Sequence, residues 1–78
     1  MIVVEKNSAT IYLKKRGITK QYLKAKEHIL NGNFRAVNLK KRQPSSENIW
    51  YFRINKKYRA LAEKIGETLF VFHISDHQ

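Results

Sequence analysis

The hydrophobic pattern changes period once, near the middle of the chain. Ile2 to Val4 is a short β-prone start. After it, Ser8 reads as the cap of a short helix over ATIYLKKR, with Ala9, Tyr12 and Leu13 on one face and Gly17 as its stop. Thr19 reads as the cap of a second helix, KQYLKAKEHILN, closed by Asn31-Gly32. Its expected apolar stripe is Tyr22, Leu23, Ile29 and Leu30, with Ile18 and Leu23 stapling the entry. From Phe34 onward the alternation is two-residue. Ala36–Leu39 reads as a strand, KKRQPSSEN as a polar loop, and Ile49–Ile54 as a second strand. In that strand Trp50, Phe52 and Ile54 share one face, and Tyr51 and Arg53 the other. Asn55-Lys56-Lys57 connects to Tyr58–Glu63, and Gly66 lies in a hairpin leading to Thr68–Ile74. That last run is apolar on both faces apart from His73, so it reads as a central strand. Two N-terminal helices packed on a small, mainly antiparallel sheet make an α+β fold.

Length limits this to one domain: 78 residues cannot build two cores. With no cysteine, disulfides and thiolate zinc sites are excluded. The histidines His28, His73 and His77 are too scattered for a structural metal cage, so neither metal nor cofactor is expected. No apolar run is long enough to span a bilayer, and MIVVEKNS has no basic region before its short apolar run. A cytoplasmic protein without a membrane partner is expected.

Charge changes the picture most. The formal net charge is +10 and the pI about 10.2. Between Lys6 and Ser46 eleven basic residues face a single acid, Glu27. Such an imbalance repels itself in the free chain and calls for a polyanion or an acidic partner.

If Asn55-Lys56-Lys57 is the whole loop, Ile54 faces Tyr58 and Arg53 faces Arg59. Like charges directly opposite destabilise a sheet unless they splay into water or hold an anion between them. Guanidinium forks suit phosphate. A three-residue loop in the next hairpin puts His73 beside Arg59, whereas a two- or four-residue loop puts Phe72 there. Lys40, Lys41 and Arg42 form a second basic cluster, and Lys56 and Lys57 add charge at the hairpin tip. Trp50, Tyr51 and Phe52 include a candidate base-stacking platform, although Trp50 and Phe52 are expected in the core. At the C-terminus, His73, Asp76 and His77 offer proton-transfer groups. No phosphate-binding glycine loop and no serine or cysteine nucleophile motif is present.

The segment IWYFRINKKYRALAEKIGETLFVFHISDHQ resembles the C-terminal sheet of RelE/ParE toxins. An aromatic strand ending in Arg, a short polar turn, Tyr-Arg opening the next strand, and a final hydrophobic strand follow in the family's order. The resemblance covers about the last 45 residues, with the helical pair preceding them. It implies the toxin of a type II toxin–antitoxin pair, covered by a cognate acidic antitoxin. RelE-like members cut mRNA on the ribosome, and ParE-like members poison DNA gyrase. By position, Arg59 matches the arginine of the family's Tyr-Arg pair and Arg53 the one before the turn. His77 falls near an end-of-strand Arg or His, with Asp76 before it. Two departures stand out. Ile49 and Tyr51 replace the strand lysines of some RelE-type enzymes, and the sequence ends at Gln78, before a segment that carries a catalytic tyrosine in many members. The expected activity is metal-free endoribonuclease cleavage by 2′-hydroxyl attack. The alternatives are a gyrase inhibitor and a catalytically inactive basic RNA-binding module.

Overall fold

The computed structural model describes residues 1–76. Strand β1 (Ile2–Glu5) leads into helices α1 (Asn7–Lys15) and α2 (Thr19–Leu30). A 3₁₀ turn, Phe34–Val37, then precedes the short strand β2 (Lys40–Lys41). A second 3₁₀ turn, Ser45–Glu47, is followed by β3 (Ile49–Arg53), β4 (Tyr58–Ile65) and β5 (Thr68–Asp76). The five strands form one sheet in the order β1-β5-β4-β3-β2. Only the β1–β5 pair is parallel. The expected α+β class, with the helices N-terminal and the last strand internal, is what the chain adopts.

One face of the sheet is covered by the helices. Val3, Phe52, Ala60, Ala62, Leu69, Val71 and Ile74 pack there against Ala9, Leu13, Tyr22, Ala25 and Ile29. Ala60 and Ala62 are fully buried, and their small size makes room for the rings of Tyr22 and Phe52, whose centroids lie 6.1 Å apart. Trp50 is partly buried against this core and Phe52 wholly so.

Several local expectations are corrected. Ala36–Leu39 is not a strand. Val37 turns into the core on a 3₁₀ turn, Asn38 takes a left-handed conformation (φ 53°), and pairing begins only at Lys40. Four alternating residues carry too little signal to tell a strand from a tight turn. Lys6 and Ile18, not Ser8 and Thr19, occupy the N-cap positions, and neither makes a side-chain cap bond. The buried stripe of α2 is Tyr22, Ala25 and Ile29, a three- and four-residue spacing. Leu23 and Leu30 lie on its exposed side, so the expected staple with Ile18 does not form.

Glu5 ties β1 to α2. Tyr22 Oη donates to its Oε2 at 2.8 Å, and Lys26 Nζ lies 2.8 Å from the same oxygen. Burial first, then the hydrogen bond to the carboxylate and its charge, push the Tyr22 phenol well above its ordinary value. In the unfolded chain the phenol ionises near pH 10. Above that pH the unfolded state has lost a proton that the folded state still holds, so stability falls as pH rises; below it the group has no effect on the slope. Tyr22→Phe should cost about 1 kcal/mol at neutral pH for the lost hydrogen bond. The gap between wild type and variant should then narrow above about pH 10 in urea denaturation. A gap that stays constant to pH 11 would show that Tyr22 ionises equally in both states.

Candidate nucleic-acid interface

The other face of the sheet carries no helix, and the hairpin between β3 and β4 sets its chemistry. Asn55 accepts through Oδ1 from the backbone N–H groups of Lys57 and Tyr58, both at 2.8 Å. The Ile54 N–H donates to the Tyr58 carbonyl at 3.0 Å. Asn55-Lys56-Lys57 is therefore the whole loop, as its sequence predicts, and Arg53 pairs with Arg59. Strand alternation turns both arginines away from the core. Arg53 is exposed, with Nε donating to the Asn55 carbonyl at 3.3 Å. Arg59 is half-buried, its guanidinium 5.2 Å from the Tyr51 ring centroid.

These side chains line a cleft of about 240 Å³ with Asn38, Lys40, Asn55 and Lys56. Lys40 enters because β2 pairs it with Tyr51, which places it on the same face. Among the described residues, four cations thus surround one hollow that has no carboxylate in its lining. Among the described residues, the ion pairs are Lys26–Glu5, Arg42–Glu47 and Lys57–Asp76, and none neutralises a cleft cation. In the free protein only water screens the Arg53–Arg59 repulsion. A phosphate between them would remove it and accept from two planar donors. The Tyr51 ring beside Arg59 offers a surface for a sugar or base.

The remaining expected residues are placed elsewhere. Lys41 pairs with Trp50, on the opposite parity from Lys40. Arg42 lies 3.5 Å from Glu47, and Lys57 lies 3.9 Å from Asp76 and 5.5 Å from the Tyr58 ring centroid. His73 pairs with Leu61 and lines a shallow groove beside Ser8 and Tyr12 of α1. His77 lies outside the described residues.

Neither alternative for the register beside Arg59 is realised. The β4–β5 loop is the two-residue Gly66-Glu67, since Ile65 pairs with Thr68; carried on unbroken, that register sets Arg59 opposite Ile74 rather than Phe72, and the observed partner is Ser75. A bulge opposite Leu61/Ala62 inserts Phe72 as an extra residue and shifts every later pair by one. The sequence contains the cause. Leu69, Val71 and Ile74 must all reach the core, and the step from 71 to 74 breaks a two-residue alternation. Only an extra residue reconciles these parities.

The same face is apolar at its other end. Val4, Ile65, Phe70 and Phe72 border a shallow groove of about 390 Å³ next to β1. Among the described residues, no helix is long and apolar enough to cross a membrane.

Two lining residues were not legible as such in the sequence: Asn38, and Asn55 except as part of the turn. Asn38 had a weak signal, because Asn is favoured where the backbone turns left-handed. No protein-family model matches the chain, and no curated protein matches it.

Proposed function

We propose that the chain is a RelE/ParE-like toxin that cleaves mRNA on translating ribosomes, with the Arg53–Arg59 cleft holding the scissile phosphate. The observation that carries this reading is the facing arginine pair, with Lys40 and Lys56 around it and, among the described residues, no carboxylate in the lining. Facing cations that repel each other in the free sheet are relieved when a phosphate binds between them. The fold class and the order of the sheet residues add the family resemblance as a second support.

In this mechanism the 2′-hydroxyl attacks the adjacent phosphorus and the P–O5′ bond breaks. The products are a 2′,3′-cyclic phosphate and a 5′-hydroxyl. The 2′-hydroxyl proton passes to a base, and the departing oxygen takes one from an acid. Arg53 and Arg59 stabilise the negative charge that builds on the phosphorane oxygens. His77 or His73 is the proposed proton carrier; His73 stands outside the lining of the cleft and His77 outside the described residues, so the strand or the ribosome would have to bring the reacting atoms to either one. Among the described residues lining the cleft, Tyr51, Lys40 and Lys56 are the other groups able to give a proton. No metal is needed. The ribosome prepositions the strand, so naked RNA is a poor substrate. An acidic antitoxin neutralises the net charge of +10 and stabilises the fold by mass action. The site of action is the cytoplasm.

Induced expression followed by primer extension across an abundant translated mRNA tests the proposal. In-frame cleavage ends are expected from the wild type and not from Arg59→Ala. The gyrase reading has one observation in its favour: among the described residues, no histidine lines the cleft. It predicts growth arrest and DNA-damage signalling with intact mRNA, unaffected by His73→Ala combined with His77→Ala. Neither arrest nor cleavage would leave a basic RNA-binding module.

A further inference from the structure

A second cleft, of about 280 Å³, opens on the α2 side of the same hairpin and shares Arg53 and Asn55 with the first. Its lining includes Ala25, Val37 and Ile54, all buried core residues. Val37 can contribute because Phe34–Val37 is a 3₁₀ turn rather than a strand. Lys24 and His28 stand on its rim, one helical turn apart on α2. Like the first cleft, it has no carboxylate in its lining among the described residues.

Two contacts fix the polar groups. Asn55 Nδ2 donates to Gln21 Oε1 at 2.5 Å, which ties the hairpin tip to α2 and holds the two clefts in fixed relation. Asn33 Nδ2 donates to His28 Nδ1 at 3.3 Å, and in that tautomer Nε2 carries a hydrogen and remains a donor. An apolar floor with the Lys24 ammonium and the His28 Nε2–H donor at its edge suits a nucleoside, whose base and sugar cover the floor while its phosphate reaches the rim.

We propose that this second cleft is a nucleotide subsite for the residue adjoining the phosphate held between Arg53 and Arg59. Single-stranded RNA then passes from the open face of the sheet around the hairpin onto α2, with Arg53 touching the backbone on both sides. The inference rests on the reading of the first cleft as a phosphate site and extends it to a path and a minimum ligand length. Direct sequence readout is not required. His28 and Lys24 position the strand, and the floor accepts a base of either size.

The probe is a set of 5′-labelled, 2′-O-methyl oligouridylates of increasing length, uncleavable by 2′-hydroxyl attack, with binding read by fluorescence anisotropy. For the wild type, affinity should rise by about tenfold at the length that first fills the second cleft. Lys24→Ala combined with His28→Ala should abolish that step and keep the affinity for the shortest oligomer. Both positions are solvent-accessible, so the variant should fold, and far-UV circular dichroism checks this. His28→Gln, which keeps a donor, should restore part of the step. A step that persists in the double variant, or a wild type without one, overturns the subsite. If instead the shortest oligomer binds equally well to Arg53→Ala/Arg59→Ala, the phosphate reading itself fails.

Discussion

Arg59→Ala is expected to slow RNA cleavage by about 10²–10³-fold, the usual cost of one preorganised donor to a developing oxyanion. Arg59 is the cleft cation best placed for that role. It is half-buried, its guanidinium lies against the Tyr51 ring, and it faces Arg53 across the ladder. The fold should survive the change. Losing the stacking contact costs about 0.5–1 kcal/mol, and relief of the repulsion with Arg53 offsets part of it. A structural arginine would show the opposite pattern, a loss of stability in proportion to the loss of activity. Arg59→Lys keeps the charge but not the planar fork, so it should recover only part of the rate. Cleavage assays on translating ribosomes, paired with urea denaturation, separate these cases. Full-rate cleavage by a folded Arg59→Ala protein would remove this cleft from the reaction.

Phe52→Ala is expected to destabilise the protein by about 3–5 kcal/mol. Phe52 is fully buried on β3, beside Tyr22 and opposite Ala60. Its neighbours cannot refill the space, because Ala60 and Ala62 are already the smallest side chains that keep a Cβ. A domain of this size has roughly 4–12 kcal/mol of total stability, so the variant should be largely unfolded or dependent on a partner chain. It would lose function by losing structure, with a shifted denaturation midpoint at unchanged slope. A cost near 1 kcal/mol would mean that the helices do not press on the sheet at this point.

Much of this was legible in the residues, for identifiable reasons. The β3–β4 hairpin was readable because Asn55 closes the turn through its own side chain, and a fixed turn fixes the register. The arginine pair followed from that register alone. The helices were readable because Gly17 and Gly32 end them in left-handed conformations (φ 67° and 76°). What failed was whatever depended on non-local packing. Leu23 and Leu30 lie outside the stripe because Ala25, a weaker hydrophobe, faces the sheet. His73 was misplaced because the two-residue Gly66-Glu67 loop already moves it off Arg59, and the β5 bulge, missed because parity was followed only locally through FVFHIS, moves it one pair further, to Leu61. Lys40 and Lys41 read as one basic cluster, yet pairing with Tyr51 and Trp50 sends neighbouring residues to opposite faces. Only the strand pairing shows that the cleft takes Lys40 and not Lys41.

The Arg53–Arg59 cleft is the proposed place where this basic chain holds a polyanion. The salt dependence of binding to a single-stranded oligoribonucleotide tests it most directly, with wild type and Arg53→Ala/Arg59→Ala compared. With Lys40, Arg53, Lys56 and Arg59 all engaged, log Kd should change with log salt with a slope of about 3 in magnitude, at roughly 0.7 per phosphate contact. The double variant should bind more weakly at every salt concentration and show about half that slope. Equal affinity and equal slope in the two proteins would contradict the account, and would move the polyanion to other basic surfaces such as Lys14, Lys15 and Arg16.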